Sequence, residues 1–272
     1  MNPTAWRYAL NRATHQLLDR PRLFDDPLAI AIAGEEARLI PERKRIEMQS
    51  HRALIAARNR HAEDELKAAL ARGASQYVIL GAGLDTYAYR NPNANLRVFE
   101  VDHPATQVWK RMRLKTAGIA IPPSLAFVPT GFEEGTLQPA LEDAGFSLRQ
   151  ITVFSWLGVC PDPTPQGTLA TLAFIGSLPK GSSVAFDYAV DRSSLDTAEE
   201  MAMDGLASRI TDPEDSVHLR LDSRALHRAL ACAGFHEIED LGPPAIEERY
   251  FGDRADGLRP PSGLAHLVSA RV

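Results

Sequence analysis

The sequence has few cysteines, no long apolar run and no surplus of basic residues, and each shortage excludes a class of protein. Its 272 residues include only two cysteines, Cys160 and Cys232, whose wide spacing predicts neither a disulfide framework nor a metal site. No apolar run approaches the roughly 18 residues of a membrane span, and the N-terminus lacks the apolar core of a secretory signal. The net charge of -5 disfavours nucleic-acid binding through bulk charge. The sequence thus favours a cytoplasmic, globular, metal-free protein without nucleic-acid or membrane partners.

The composition changes near residue 73 and divides the chain into two predicted parts. Residues 1–72 have a helical composition without strand-like alternation, and Gly73 is placed to end the last helix. Residues 73–272 alternate short apolar runs with segments of helical composition. This alternation predicts one compact α/β domain with a parallel sheet, preceded by a helical extension.

Seven short apolar runs are the predicted strands of this sheet. They lie at 77–80, 96–101, 126–128, 151–156, 183–188, 235–239 and 263–268. Only a predicted loop, at 243–262, separates the last two runs, which favours an antiparallel hairpin over a crossover. The predicted architecture is therefore a parallel sheet that ends in one reversed strand.

A glycine turn, Gly81-Ala82-Gly83, follows the first apolar run and is the densest chemical signal in the chain. Glycines there permit a tight turn and let the backbone approach a ligand closely. The next strand ends in Glu100-Val101-Asp102, and a carboxylate at that point can bind both hydroxyls of a ribose. The pair predicts a nucleoside site, and a turn that merely requires small residues is the structural alternative.

The absence of two phosphate-binding motifs from the sequence indicates which nucleoside binds. Thr86 stands where a dinucleotide fingerprint has its third glycine, and the chain has no Gly-Lys-Ser/Thr of a phosphate-binding loop. An adenosine ligand without a phosphate to bind indicates S-adenosylmethionine. An NAD-binding oxidoreductase is the alternative that Thr86 weakens.

Five strings of residues, spread over almost the whole chain, resemble one known family. They are RPRLFDDPLA, VILGAGLDTYAYR, FEVDHP, FSWLGV and RYFGDRADGLRPP. In this order they resemble the leucine carboxyl methyltransferase family of class I methyltransferases, especially its bacterial members. The resemblance implies a Rossmann-like mixed seven-stranded sheet with an antiparallel last strand and an N-terminal helical lid. It also implies S-adenosylmethionine-dependent methylation of oxygen, often that of a carboxylate.

The resemblance assigns cofactor-binding roles to individual residues. Arg58 is similar to the lid arginine that binds the methionine carboxylate, and Gly81, Ala82 and Gly83 form the motif turn. Asp102 resembles the ribose-binding acid, with Glu100 as a neighbour that could share this role.

Two positions depart from the family pattern. Gly131 occupies the position of the acid near the adenine, and Phe132 beside it could still cover the ring. Trp156 is expected at the cofactor, but Leu157 follows it where many members of the family have Glu. These departures motivate the alternative of a cofactor-binding protein with impaired catalysis.

Single residues are the candidates for binding the molecule that accepts the methyl group. His103, which follows Asp102, is a candidate general base for a hydroxyl acceptor, and a helix-capping role is the structural alternative. Tyr188 at the end of the fifth strand is a candidate acceptor contact, and Cys160 is expected only to line the wall. Arg254 is the candidate for positioning an anionic acceptor, together with the two other arginines of its segment, Arg249 and Arg259.

The chemistry favours a carboxylate acceptor. Methyl transfer is an in-line displacement, so catalysis consists mainly of placing the nucleophile close to the methyl carbon. A carboxylate is ionised at pH 7 and needs no base, whereas a hydroxyl needs help with deprotonation. The sequence therefore predicts an S-adenosylmethionine-dependent O-methyltransferase that esterifies a small-molecule acid, with hydroxyl methylation by His103 as the alternative.

Overall fold

A computed structural model describes residues 2–130, 135–158, 165–191, 220–260 and 265–272. The helices are α1 (Pro3–Leu18), α2 (Ala29–Ala33), α3 (Glu42–Glu47), α4 (Gln49–Ala71), α5 (Tyr87–Arg90), α6 (Pro104–Thr116), α7 (Leu137–Asp143), α8 (Pro165–Gly176), α9 (Ser223–Cys232) and α10 (Pro243–Phe251). The strands are β1 (Gln76–Leu80), β2 (Arg97–Asp102), β3 (Leu125–Pro129), β4 (Thr152–Trp156), β5 (Ser183–Val190), β6 (Arg220–Leu221), β7 (Glu237–Leu241) and β8 (Ala265–Arg271).

Seven of these strands form a continuous sheet in the order β3-β2-β1-β4-β5-β8-β7. Neighbouring strands run parallel except at β8, which is antiparallel to both β5 and β7. The two-residue strand β6 pairs in parallel with β5 beside this path. The predicted mixed sheet with a reversed last strand is confirmed, and each of the seven strands begins within two residues of its predicted start.

Both faces of the sheet are covered, which explains the nearly continuous apolar runs of its central strands. In β1, Val78 and Leu80 pack into one core together with Phe154 of β4. Tyr77 and Ile79 of the same strand pack into the core on the other face. Because β1, β2 and β4 are parallel, their carboxyl ends meet at one edge of the sheet. This arrangement brings the turn after β1 next to the end of β2.

One prediction about the C-terminal part is wrong. The segment 243–262 is not a continuous loop, since α10 occupies its first half. Pro243 suits the first turn of a helix, and Ile246 and Phe251 are buried against alanines of α4. The helix was missed because its two buried anchors are separated by charged residues. The hairpin pairing of β7 with β8 is nevertheless confirmed.

The N-terminal residues are helical as predicted, and a buried cluster joins α1 to α4. Arg52 donates hydrogen bonds from Nε and Nη2 to the Asp19 carboxylate at 2.8 and 2.9 Å. The Nδ1 atom of His15 lies 2.7 Å from Asp19 Oδ2. Burial by itself would raise the pKa of Asp19. The hydrogen bonds from His15 and Arg52 together lower this pKa by more than burial raises it, so the net shift is downward. The cluster therefore holds the end of α1 against α4 with paired charges.

No helix in the described ranges is both long and apolar enough to cross a membrane. Within the same ranges, no group of three or more His, Cys, Asp or Glu side chains could hold a metal ion.

Candidate functional site

A cavity of about 230 Å³ lies at the carboxyl ends of β1, β2 and β4, beneath α1. The sheet contributes the glycine turn, Asp102 and the turn that follows β4. The helical extension contributes polar side chains to the opposite wall: Tyr8, Arg12, Arg58 and Asn59. Ligands of open α/β sheets bind in the crevice outside these strand ends, so the cavity is the candidate functional site.

The glycine turn and the acid at the end of β2 form one unit. The backbone N–H of Gly83 donates a hydrogen bond to Asp102 Oδ2 at 2.6 Å. Gly81 and Gly83 have φ values of +65° and +45°, a region that favours glycine. A Cβ atom on Gly83 would lie only 3.0 Å from the Cβ of Ala5 in α1. The turn therefore needs glycine both for its conformation and for the close approach of the first helix.

Arg58 of α4 lies in the cavity wall and is almost completely buried. Its Nη1 donates a hydrogen bond to Asp187 Oδ2 of β5 at 3.2 Å. The guanidinium carbon lies 4.2 Å from the centre of the Tyr8 ring, which is a cation–π contact. The Nε atom is buried without a hydrogen-bond partner among the described residues. Burial alone would lower the pKa of Arg58, but the Asp187 charge raises it, so the group is a fixed cation.

The turn after β4 is built around Gly158, which contacts three elements. Its N–H donates to Asp187 Oδ1 at 2.6 Å, and its carbonyl accepts from the Tyr8 hydroxyl at 3.1 Å. Its φ is +64°, and a Cβ atom there would overlap the guanidinium of Arg58, 2.7 Å from Cζ. Gly158 therefore leaves the space that Arg58 occupies.

Several residues of this site were missed at the sequence level. Tyr8, Arg12 and Asn59 line the cavity, and none of them belongs to a motif that the sequence displays. Arg12 pairs with the buried Asp26 at 3.3 Å and also donates to the carbonyl of Leu84. No local pattern marks these residues, because each reaches the site through contacts that are distant in sequence.

Trp156, which is expected at the cofactor, is not among the described residues that line the cavity. Its side chain is buried in the core on one face of the sheet, with its ring centre 6.4 Å from that of Phe186. Its neighbours Ser155 and Leu157 line the cavity instead. Successive side chains of a strand point to opposite faces, so the side chain of Trp156 points away from those of Ser155 and Leu157.

Tyr188, the candidate acceptor contact, also lies outside the described lining of the cavity. Its ring is buried, and its hydroxyl lies 2.7 Å from Asp240 Oδ2 and 2.8 Å from Ser223 Oγ. The Asp240 carboxylate is also bonded to His266 and His227. These contacts join β5, β7, β8 and α9, so the structure gives Tyr188 a place in a structural network.

His103 caps α6, as the structural alternative predicts. Its Nδ1 accepts a hydrogen bond from the N–H of Ala105 at 3.2 Å, and its side chain is exposed. Its own N–H donates to Asp102 Oδ1 at 2.7 Å. His103 is adjacent to the candidate ribose acid but does not line the cavity.

The three arginines of the C-terminal segment, which are the candidates for positioning an anionic acceptor, are each paired with a nearby acid. The pairs and their separations are Arg249–Glu239 at 2.7 Å, Arg254–Asp256 at 2.5 Å and Arg259–Glu247 at 2.7 Å. None of the three arginines lines the cavity. The segment is anchored by Leu258, which is buried against α4.

Glu100 does not share the place of Asp102. It is fully buried beneath the site, where its carboxylate pairs with Lys110 at 2.7 Å and accepts from the Tyr89 hydroxyl at 3.2 Å. Burial raises the pKa of Glu100 to about 7, although the charge of Lys110 acts in the opposite direction. The candidate residues Gly131, Phe132 and Cys160 lie outside the described residues.

The residues present fit S-adenosylmethionine. The buried Nε of Arg58 without a partner suits the carboxylate of the methionine end. Asp102 faces the cavity with a carboxylate that has acceptor capacity for ribose hydroxyls. Between them, the glycine turn offers backbone without side chains. The mixed sheet with its reversed β8 and a cavity of this kind define a class I S-adenosylmethionine-dependent methyltransferase.

Comparison with known proteins identifies the family. The model of the leucine carboxyl methyltransferase family matches residues 5–176 of the chain. A Bacillus subtilis protein named "Putative S-adenosyl-L-methionine-dependent methyltransferase YktD" is 32% identical over 283 residues, which cover 92% of this chain and 91% of that protein. A Mycolicibacterium gilvum protein with the same description is 31% identical over 67% of this chain and 73% of its own length. The chain therefore belongs to the leucine carboxyl methyltransferase family and uses S-adenosylmethionine.

Solved structures agree with the fold. A "putative methyltransferase" from Thermobifida fusca has a TM-score of 0.50 at 16% identity, and the match covers 99% of this chain and 98% of that one. A "duf574 family protein" from Streptomyces avermitilis has a TM-score of 0.50 at 17% identity, with 96% of each chain covered. At these identities the likeness supports the fold alone.

Proposed function

We propose that this protein transfers a methyl group from S-adenosylmethionine to the carboxylate oxygen of a small acidic molecule and forms a methyl ester. Family membership supports methyl transfer, and the cavity supports the choice of acceptor. The choice of a carboxylate acceptor rests on which ionisable side chains line the cavity. Its described ionisable side chains are Tyr8, Arg12, Arg58, Asp85 and Asp102, and no histidine is among them.

In this proposal, the residues of the cavity bind and orient rather than move protons. Arg58 holds the carboxylate of the methionine end, Asp102 holds the ribose, and the glycine turn lies along the ligand. The cofactor, when bound, supplies a methyl group activated by a sulfonium. Placing the nucleophile in line at about 3–3.5 Å accounts for much of the rate of such a displacement. A carboxylate is already ionised near pH 7, so a wall whose described ionisable side chains include no histidine suits it.

Methylation of a hydroxyl is the second candidate function, with His103 as base. Its proximity to Asp102 favours this candidate, since the two are adjacent in sequence and joined by a hydrogen bond from the backbone. The Nδ1 of His103 already accepts from Ala105, which leaves only Nε2 for proton transfer. A carboxylate acceptor needs no such group.

The first prediction is that small acids acquire base-labile methyl groups. The enzyme is incubated with methyl-labelled S-adenosylmethionine and a panel of small carboxylic acids, each paired with the alcohol of the same carbon skeleton. We expect label on acids only, and we expect mild alkali to release it as volatile methanol. The physical reason is that an ester hydrolyses readily, whereas an ether survives this treatment.

The controls separate this proposal from its alternatives. His103→Ala should keep its activity on acids, because a carboxylate needs no base. Alkali-stable label on alcohols that is lost in His103→Ala would contradict the ester proposal and favour the hydroxyl reaction. Binding of S-adenosylhomocysteine without transfer to any member of the panel would favour the third alternative, a cofactor-binding protein with impaired catalysis.

We propose that residues 1–72 form a lid over the methyltransferase core of residues 73–272. Tyr8 and Arg12 of α1 reach across the cavity to the carbonyls of Gly158 and Leu84. A covered cavity excludes water from the reacting groups, and closure of such segments often limits turnover. The segment 252–260 packs against α4 through Leu258 and is proposed to close together with α1.

The second prediction concerns hydrogen exchange. On addition of S-adenosylhomocysteine, residues 3–18 and 252–260 should gain protection, because ligand contacts hold the lid against the core. The strand β1 should change little and serves as the internal reference. Slow exchange in residues 3–18 that does not respond to the ligand would show that α1 is a fixed layer and that the gating idea is wrong.

A further inference from the structure

Asp187 lies under the candidate site, where it joins the lid to the sheet. It belongs to β5, directly after Phe186, which pairs with the last residue of β4. Its side chain is only 2% exposed and does not line the cavity. We propose that Asp187 is a positioning residue, which fixes Arg58 in the orientation that receives the carboxylate of the cofactor's methionine end. The inference rests on the proposed role of Arg58.

The two oxygens of the Asp187 carboxylate have separate partners. Oδ2 accepts from Arg58 Nη1 at 3.2 Å, and Oδ1 accepts from the N–H of Gly158 at 2.6 Å. One carboxylate therefore ties a helix of the N-terminal extension to the turn after β4. Because Asp187 contacts both without lining the cavity, its effect on a ligand is that of a positioning residue.

Arg58 is confined from three sides. Tyr8 lies against one face of its guanidinium at 4.2 Å, the backbone of Gly158 lies against another side, and Asp187 binds Nη1. Arginine side chains have many rotamers, and a planar group fixed in advance loses less freedom when it binds a carboxylate. The confinement leaves Nε without a protein partner among the described residues. Arg58 is also among the residues that line the cavity, so its side chain borders the space that a ligand would occupy.

The negative charge of Asp187 gives a second reason to assign it a positioning role. An isolated buried cation is costly, and an opposite charge in hydrogen-bond contact offsets that cost. Without the Asp187 charge, Arg58 would gain free energy by turning toward water. The carboxylate thus keeps the guanidinium inside the wall before the ligand arrives.

The test compares two ligands in the full-length protein. S-adenosylhomocysteine carries the amino acid end, and 5'-methylthioadenosine lacks it, so the ratio of their dissociation constants reports on this end alone. Asp187→Asn keeps an oxygen for the N–H of Gly158 but loses the charge that faces Arg58. We expect its dissociation constant for S-adenosylhomocysteine to rise about 10- to 100-fold, the range for hydrogen bonds to charged groups. The constant for 5'-methylthioadenosine should stay within about twofold.

Three further variants complete the design. Asp143→Asn, at the exposed end of α7, is the matched control and should bind both ligands as the wild type does. Asp187→Ser is the second variant, for use if the Asp187→Asn protein does not fold. The serine side chain is too short for its hydroxyl to hold Arg58. Arg58→Lys is the reference, and combining it with Asp187→Asn should add little further loss, because both changes remove one interaction.

The outcomes separate the two proposals. Unchanged affinity in Asp187→Asn, with a selective loss in Arg58→Lys, would overturn the role of Asp187 and leave that of Arg58 intact. Equal losses for both ligands would show that Asp187 only supports the fold of the turn, which also overturns the inference. A wild type that binds no S-adenosylhomocysteine, or an Arg58→Lys variant without a selective loss, would overturn the proposed role of Arg58 and the inference with it.

Discussion

Replacing Gly158 with alanine is expected to reduce the affinity for S-adenosylhomocysteine about 10- to 100-fold. This range corresponds to about 1.5–3 kcal/mol, the free energy of one lost hydrogen bond to a charged group. The added Cβ would overlap the guanidinium of Arg58, which has no room to retreat because Tyr8 and Asp187 hold it. A φ of +64° is also unfavourable for alanine, and we expect it to lower the free energy of unfolding by roughly 1–2 kcal/mol. Calorimetric titration and thermal melting of the same variant measure the two effects separately.

Gly118 provides a matched control for the backbone effect. Its φ of +66° nearly equals that of Gly158, but a Cβ atom there would meet nothing within 4 Å. Gly118→Ala should therefore lose a similar amount of stability and keep its affinity for S-adenosylhomocysteine. Full affinity in Gly158→Ala would contradict the close packing of Arg58 on this turn, and a comparable loss in Gly118→Ala would show that backbone strain alone explains the effect.

Replacing Asp102 with alanine is the second change with a large expected effect. It removes the candidate acceptor of the ribose hydroxyls and leaves the N–H of Gly83 without its carboxylate partner. We expect cofactor affinity to fall by about 1.5–3 kcal/mol, the worth of hydrogen bonds to a charged group. Calorimetry with S-adenosylhomocysteine measures this loss in the folded variant.

A comparison of nucleosides distinguishes ribose binding from damage to the turn. The wild type should prefer adenosine to 2'-deoxyadenosine, and Asp102→Ala should lose this preference because its partner for the 2'-hydroxyl is gone. If the variant binds more weakly but still discriminates between the nucleosides, Asp102 supports the glycine turn without touching the ribose. Unchanged affinity would remove Asp102 from the site.

The sheet and the cofactor end of the site could be predicted from sequence because their signals are local. Strands covered on both faces are short apolar runs, and runs such as Tyr77–Leu80 have few other interpretations. The glycine turn and Asp102 follow consecutive strands, and parallel strands bring their carboxyl ends together whatever the rest of the fold does. The structure accordingly joins Gly83 and Asp102 by a direct hydrogen bond.

The sequence says less about Trp156 and the acceptor candidates, because it does not fix the partner that each side chain takes. Ser155 lines the cavity and its neighbour Trp156 does not, and nothing in the run of apolar residues distinguishes the two. Tyr188 binds Asp240, which lies 52 positions away, and Arg254 binds Asp256 only two positions away. A charged or aromatic residue in a promising segment can thus be engaged by a neighbour that no pattern distinguishes.

The position of β8 has a consequence for how the protein is made. This strand lies between β5 and β7, and it pairs with β5 along Ser183 to Ala189. Roughly 75 residues separate the two strands in sequence, and at about 5–20 residues per second a ribosome needs on the order of 4–15 seconds to add them. Until then, one long edge of β5 offers unpaired N–H and C=O groups in the middle of the future sheet, and exposed edges of this kind pair with other chains. The nascent chain is therefore most vulnerable to aggregation between the synthesis of β5 and that of β8, and chaperones that shield strand edges should act at that stage.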